Sequence, residues 1–198
     1  MAPTEAPCIG GLILAGGRGE RLGGCDKGLL EYEGEAYAAR LSRVLSLRVS
    51  PVAVSANASQ ETYARWADAV LPDHEFPQQG PVAGLYEGLV WARQRGLTGL
   101  LVTTCDTPLL PQAWVERLLD SALSDPDRAC LTRLAEGDQP LHGYFPVIAL
   151  PQVRDALVSG ERRARRLAQA LGPVWVDCDA LANGFLNVNR PEDQARLS

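Results

Sequence analysis

The residues best equipped for chemistry stand near the amino terminus. The stretch Leu14-Ala15-Gly16-Gly17-Arg18-Gly19-Glu20-Arg21-Leu22-Gly23-Gly24-Cys25-Asp26-Lys27-Gly28 interleaves glycines with Arg21 and Lys27. Glycine lets a backbone pass close to phosphate oxygens with its N–H groups turned inward, while the two cations can neutralise a polyphosphate. Two familiar phosphate loops fail on spacing. Lys27 is followed by Gly28, so no G-x-x-x-x-G-K-[ST] can be drawn, and there is no G-x-G-x-x-G. The bland alternative is a glycine-rich surface turn, which seldom interleaves so many glycines with Arg and Lys.

A second signal is Thr103-Thr104-Cys105-Asp106-Thr107-Pro108, an acidic residue where an apolar run ends. Hard Mg²⁺ is usually held by one or two carboxylates together with substrate phosphates and water. An Asp106 carboxylate facing the glycine loop would therefore complete a triphosphate site. Taken alone, Asp106 before Thr-Pro reads equally well as an Asx-turn, and only its pairing with the first loop favours the metal. His74 and His142 are the only histidines, and no Ser/His/Asp order or Cys beside a His occurs, which argues against a covalent intermediate.

The elements that must position these residues alternate. Ile9 to Leu14 reads as a strand ending in the glycine loop, and Tyr37, Leu41, Val44 and Leu45 recur at helical spacing behind it. Val52 to Ser55 predicts a strand, Gln60 to Trp66 a helix, and Ala69 to Leu71 another strand. Prolines and glycines enforce a loop from Pro72 to Pro81, after which Val82, Leu85, Tyr86, Leu89 and Val90 form an amphipathic stripe. Leu100 to Thr103 predicts a strand and Trp114, Val115, Leu118 and Leu119 a helix whose first turn Pro111 suits. This β-α order implies a mostly parallel sheet covered by helices on both faces, with ligands beyond the carboxyl ends of the strands. Past Cys130 the pattern is irregular. Leu141 to Val147 is apolar but interrupted by Gly143 and Pro146, and helices are expected near Leu150–Ser159 and Arg163–Leu171.

The chain has 198 residues, 46% hydrophobic and 22% charged, with a net charge of −5. That length favours one domain over residues 1–198, in which the glycine loop and Asp106 mark a nucleotide-binding half to about residue 110 and leave an acceptor-binding half from about 111. The charge argues against broad nucleic-acid binding and leaves room for a local basic phosphate pocket. No apolar run is long enough to span a membrane, and the first residues lack a secretory signal, so a soluble cytoplasmic protein is expected. Cys8, Cys25, Cys105, Cys130 and Cys178 are scattered without a C-x-x-C pair and read as reduced thiols.

The run Leu14 to Leu29 resembles the L-A-G-G-x-x-x-R-M-G-G-x-D-K-G-L signature of the nucleotidyltransferases that attach a nucleoside monophosphate to the terminal phosphate of molybdopterin, the molybdenum cofactor guanylyltransferase family, with Leu22 in place of the usual methionine. The resemblance continues through Ser55-Ala56-Asn57, Leu71-Pro72-Asp73, Gly80-Pro81-Val82-Ala83-Gly84, Cys105-Asp106-Thr107-Pro108 and Phe185-Leu186-Asn187-Val188-Asn189-Arg190-Pro191-Glu192, nearly the whole chain. Ser55 departs from the family's N-A-N, with Asn57 left to compensate. The resemblance implies a single-domain three-layer α/β/α sandwich with a Rossmann-like sheet of the nucleotide-diphospho-sugar transferase type. It implies that Leu14, Ala15, Gly16, Gly17, Ser55, Asn57, Asp73 and Gly84 line the nucleotide site, that Lys27 and Arg21 stabilise the transferred phosphoryl group, and that Asp106 holds Mg²⁺. Gly17 behind Gly16, where relatives using CTP carry L-A-A-G, tilts the base toward GTP. In-line attack by an acceptor phosphate on the α-phosphate would release diphosphate, and an acceptor already anionic needs positioning and charge neutralisation more than a general base.

The acceptor side stays open between readings. Arg163, in the run Arg162 to Arg166, could meet an anionic pterin phosphate or lie on a solvated helix face. Asn189 with Glu192 could be a helix cap and its capping-box partner, whereas Asn187 has no such structural role and is the better pterin candidate. His142, in Gln139-Pro140-Leu141-His142, matches a family segment near the acceptor or is a structural histidine; Asp73 contacts the nucleoside or forms a turn. The implied partners are GTP and molybdopterin, with transient contact to molybdopterin-loading proteins and molybdoenzyme chaperones, no nucleic acid and no membrane, the chain acting as a monomer. The competing functions are a CTP-dependent molybdopterin cytidylyltransferase or sugar-1-phosphate nucleotidyltransferase, and a non-catalytic nucleotide-binding regulator. The presence of both Lys27 and Asp106 speaks against the regulator, because binding alone does not require an opposed lysine and metal carboxylate.

Overall fold

The computed structural model describes residues 7–16, 26–188 and 193. The first apolar run is β1 (Ile9–Leu14), buried along its whole length, as befits a strand with neighbours on both edges and helices over both faces. A 3-10 turn at Lys27–Leu29 and a small hairpin, β2 (Glu31–Tyr32) and β3 (Glu35–Ala36), lead into α1 (Tyr37–Ser46). The chain continues through β4 (Val52–Ser55), α2 (Gln60–Tyr63), β5 (Ala69–Leu71), α3 (Pro81–Gln94), β6 (Gly99–Thr104) and α4 (Gln112–Ser124). Then follow β7 (Cys130–Leu134), β8 (Gly137–Pro146), α5 (Leu150–Val158), α6 (Ala164–Leu171), β9 (Val174–Asp177) and a 3-10 segment at Asp179–Phe185.

Among the described residues, seven strands form one sheet in the order β5-β4-β1-β6-β8-β7-β9. β1, β4, β5 and β6 are parallel, β9 is parallel to β7, and β8 runs antiparallel to both β6 and β7. Side-chain alternation along β1 divides the core in two. Ile9 and Ile13 join Leu41 and Leu45 of α1 and Trp114 and Leu118 of α4 on one face. Leu12 and Leu14 join Leu85 and Leu89 of α3, Val153 of α5 and Leu167 of α6 on the other. Three layers and a single α/β domain result, as the β-α order requires. Leu12 and Ile13 are both fully buried, so cutting either back to alanine costs about 2–5 kcal/mol.

Two elements differ from the sequence expectation. The helix expected to reach Trp66 stops at Tyr63, because Asp68 is tied back to β4: its N–H donates to Val52 O and its carboxylate accepts from Val52 N, each at 2.8 Å. The chain must tighten into a turn to reach that anchor. The irregular stretch after Cys130 holds a ten-residue strand, β8, broken by a register jump. Leu131 pairs with Gly143 and Thr132 with Gln139, so Pro140, Leu141 and His142 loop out of the ladder. Such an irregularity re-aims side chains. Here it turns Leu141 toward the carboxyl ends of the strands.

Strand order also locates the site. From β1 the chain moves outward to β4 and β5, then returns past β1 to β6 on the opposite side. The connections that follow β1 and β6 thus lead to opposite sides of the sheet, and the crevice at those two strand ends is where an open α/β sheet binds ligands.

Candidate active site

A cleft of about 1010 Å³ opens at that switch point, at the upper end of the roughly 300–1,000 Å³ typical of small-molecule sites. Its floor is the end of β1, with Leu14, Ala15 and Gly16. The backbone there continues the sheet: Ala15 N–H donates to Ser55 O at 2.9 Å and Cys105 N–H to Leu14 O at 3.1 Å. Lys27 reaches the same cleft from the 3-10 turn, which Asp26 caps by accepting the Gly28 N–H at 3.2 Å. Gly17 and Arg21 lie outside the described residues.

One wall comes from β4, β5 and the start of α3. Asn57 and Asp73 form a reciprocal pair: Asn57 Nδ2 donates to Asp73 Oδ2 at 2.9 Å and Asp73 N–H to Asn57 Oδ1 at 2.8 Å. Burial pushes the Asp73 carboxyl above its usual range; the Asn57 hydrogen bond opposes that and nearby Glu87 adds to it. Ser55 is buried against Gly84 in α3. A Cβ on Gly84 would lie 2.3 Å from Ser55 Oγ, so glycine is what lets the first turns of α3 approach the strand ends. Pro77, Gln78, Gly80 and Pro81 complete this wall. The sequence offered the Pro-Gly loop as a signal without indicating which of its residues faces inward.

The opposite wall carries Thr104 at the end of β6, Cys105 and Asp106 from the turn that follows it, and Leu141 from β8. Thr104 Oγ1 donates to Asp106 Oδ1 at 2.5 Å, and Thr107 Oγ1 donates to Thr104 O at 3.1 Å. Both hydroxyl protons are thus committed, so His142 Nε2, 3.2 Å from Thr104 Oγ1 and 2.9 Å from Thr107 Oγ1, is the donor to them. His142 is 4% exposed and packs edge-on to Trp114 and Phe185. Burial holds its imidazole neutral, with a pKa down to about 4 against a partial counter-pull from Asp106. It stands behind the cleft wall, whereas its neighbour Leu141 lines it. Burial, with Asp106 and Asp26 nearby, pushes the Cys105 thiol up, which keeps it from acting as a thiolate nucleophile.

Among the described residues no cluster of three or more His, Cys, Asp or Glu side chains forms a protein-only metal cage. A lone Asp106 carboxylate on a cleft wall fits a magnesium ion that draws its remaining ligands from phosphates and water. The other acceptor-side candidates scatter. Asn187 is exposed, next to Val188, whose N–H donates to Asp106 O at 2.8 Å, so it borders the Asp106 turn. Arg163 heads α6, outside the lining residues, with its guanidinium on Glu161 at 2.8 Å, and Arg166 reaches the same carboxylate at 3.5 Å. Those arginines hold the Glu161 carboxyl down near 2. Asn189 lies outside the described residues, and none of the helices described is long and apolar enough to cross a membrane.

The likenesses to known proteins agree with this geometry. Residues 11–174 match the model of the MobA-like NTP transferase domain. The molybdenum cofactor guanylyltransferase of Pseudomonas syringae pv. syringae (strain B728a) is 36% identical over 189 residues, covering 96% of this chain and 92% of its own. That of Pseudomonas entomophila (strain L48) is 37% identical over 190 residues, covering 96% and 97%. Among solved structures, molybdopterin-guanine dinucleotide biosynthesis protein A from Archaeoglobus fulgidus superposes with a TM-score of 0.77 at 20% identity, covering 95% of each chain, and shares the fold. A nucleotide-sized cleft at the switch point, a lysine and a carboxylate on its walls, and full-length relatives of one kind converge: the chain belongs to the MobA-like NTP transferase family, the nucleotidyltransferases that include the molybdenum cofactor guanylyltransferases.

Proposed function

We propose that the chain transfers GMP from Mg-GTP to the terminal phosphate of molybdenum-bound molybdopterin, giving the guanine dinucleotide form of the cofactor and diphosphate. The observation that carries this reading is that Lys27 and Asp106 line one cleft at the switch point. Relatives named molybdenum cofactor guanylyltransferase over nearly their full length support the choice of GTP and of the acceptor.

On this reading the nucleoside rests against Leu14, Ala15, Gly16 and the Asn57–Asp73 pair, with Ser55 and Gly84 behind it. Lys27 sits over the phosphates and takes up charge that builds on the transferred phosphoryl group, with Arg21 and Gly17 acting from the same glycine-rich segment. Asp106 would hold Mg²⁺, which would supply charge neutralisation to the phosphates. Thr104 orients the Asp106 carboxylate, and His142 steadies Thr104 and Thr107 in turn. Asn187, which borders the Asp106 turn through Val188, faces the acceptor side. A phosphate monoester acceptor arrives already anionic, so no side chain has to remove a proton from it. Such an enzyme works as a cytoplasmic monomer and hands its product to molybdopterin-loading proteins and molybdoenzyme chaperones.

The test is a transfer assay with molybdenum-loaded molybdopterin and each nucleoside triphosphate in turn, following diphosphate release and the dinucleotide product. Product with GTP and little with CTP is expected. Product chiefly with CTP, or diphosphate release only when a sugar 1-phosphate replaces the pterin, would overturn the assignment.

A further inference from the structure

Tyr63, at the end of α2, is 0% exposed. Its hydroxyl donates to Asp26 Oδ1, 37 residues earlier in the chain. The same Asp26 oxygen accepts the Gly28 N–H at 3.2 Å. Gly28 also lies directly on the phenol: a Cβ there would stand 2.4 Å from Tyr63 Oη and 3.0 Å from Cε1. The residues on both sides of Lys27 are therefore seated on one buried side chain, one through its carboxylate and the other through the absence of a Cβ. Tyr63 is itself braced. Its ring meets Trp66 edge to face at 6.3 Å, and the Trp66 carbonyl accepts the Ser42 hydroxyl from α1. Burial, then the Asp26 carboxylate, push the phenol far above its ordinary value, so it remains a donor throughout the working range.

We infer that Tyr63 is a positioning residue for Lys27: through Asp26 and Gly28 it fixes the backbone from which the Lys27 ammonium meets the triphosphate. This rests on the nucleotidyl-transfer reading. A lysine on a glycine-rich segment spends much of its time away from the phosphates unless its backbone is anchored, and a displacement of about 1 Å at a charge-stabilising group can cost on the order of 10²-fold in rate. Asp26 is the second part of the device, because its carboxylate turned onto Tyr63 and the Gly28 N–H serves as a cap.

The experiment is a double-mutant cycle of Tyr63→Phe, Lys27→Ala and the pair, measuring kcat and KM for GMP transfer, Mg-GTP affinity by titration, and Tm. Tyr63→Phe keeps the ring and removes one hydrogen bond to a carboxylate, so kcat should fall by about tenfold, with KM for the pterin unchanged. In the Lys27→Ala background the same substitution should change kcat by less than about twofold, since the group it positions is gone. Equal fractional losses with and without Lys27, or wild-type kcat in Tyr63→Phe, would overturn the inference and leave Tyr63 as core packing. Should Tyr63→Phe fail to fold, Gly28→Ala perturbs the same contact from the other side and should show the same dependence on Lys27; additivity there would overturn it equally. Wild-type protein that neither binds Mg-GTP nor releases diphosphate would overturn the functional reading itself and the inference with it. An active wild type with additive variants sinks only the role of Tyr63.

Discussion

Gly84→Ala is the substitution whose outcome the geometry constrains most tightly. In an open helix interior alanine is favoured over glycine by about 1 kcal/mol, so in isolation the change should stabilise α3. Here the new Cβ would lie 2.3 Å from Ser55 Oγ and 3.1 Å from both Ser55 Cβ and Leu14 Cδ2. The shortest contact falls roughly 1 Å below ordinary van der Waals separation. Ser55 is 3% exposed and has little room to turn away. Overpacking a filled core costs about 1–3 kcal/mol, so the variant should be net destabilised by up to about 2 kcal/mol. Relief by outward movement of α3 would also shift Gly80 and Pro81, which line the cleft, and weaken Mg-GTP binding by about tenfold, the equivalent of about 1.4 kcal/mol. Urea denaturation of wild type, Gly84→Ala, Ser55→Ala and the double variant measures the first effect, and titration with Mg-GTP the second. Removing the Ser55 hydroxyl should recover most of the loss, a coupling of about 1–2 kcal/mol between residues in contact. A Gly84→Ala variant more stable than wild type, or equally damaged with and without the Ser55 hydroxyl, would refute the close approach of α3 to the strand ends.

Asp73 and His142 make pH-dependent predictions of opposite sign. Because burial raises the Asp73 carboxyl, its share of stability is present below the ordinary Asp range and is lost as pH rises through the raised value. Asp73→Asn should therefore raise the urea midpoint at pH 7 and lose that advantage near pH 3, while weakening nucleotide binding. For His142, depressed from 6.5 to about 4, stability is present above pH 6.5 and drains away as pH falls toward 4. Going from pH 7 to 4.5, protonation of this single group should destabilise the wild type progressively. His142→Gln, which can still present a donor to Thr104 and Thr107, should flatten that slope in acid denaturation profiles, and an unchanged slope would show that the imidazole is not buried as described.

Much of the nucleotide side was legible from sequence because it is local. Ile9–Leu14, Val52–Ser55 and Ala69–Leu71 are short apolar runs bounded by Gly or Pro, and each is a strand with those limits. Gly80-Pro81 opens α3 at its first position, where proline's missing N–H costs nothing. What the sequence could not offer was contact across long separations. The Tyr63–Asp26 hydrogen bond spans 37 residues and the Asn57–Asp73 pair 16; neither leaves a periodic trace. The register jump in β8 was hidden for a different reason: Gly143 and Pro146 suggest a broken strand, and only pairing with Cys130 and Leu131 on one side and with Thr132, Arg133 and Leu134 on the other shows the chain extended on both sides of the break. His142 was ambiguous because burial, the property that decides its protonation, depends on Trp114 and Phe185 from distant elements.

The proposed chemistry requires that the cleft select GTP and that Asp106 hold the Mg²⁺ on its phosphates. Isothermal titration of the wild type with Mg-GTP, Mg-CTP and Mg-ATP, repeated with Asp106→Ala, tests this most directly. Preference for GTP is expected, with a dependence on Mg²⁺ that is strong in the wild type and lost in Asp106→Ala. Equal affinity for all three nucleotides, or Mg²⁺-dependent GTP binding that survives Asp106→Ala unchanged, would contradict it.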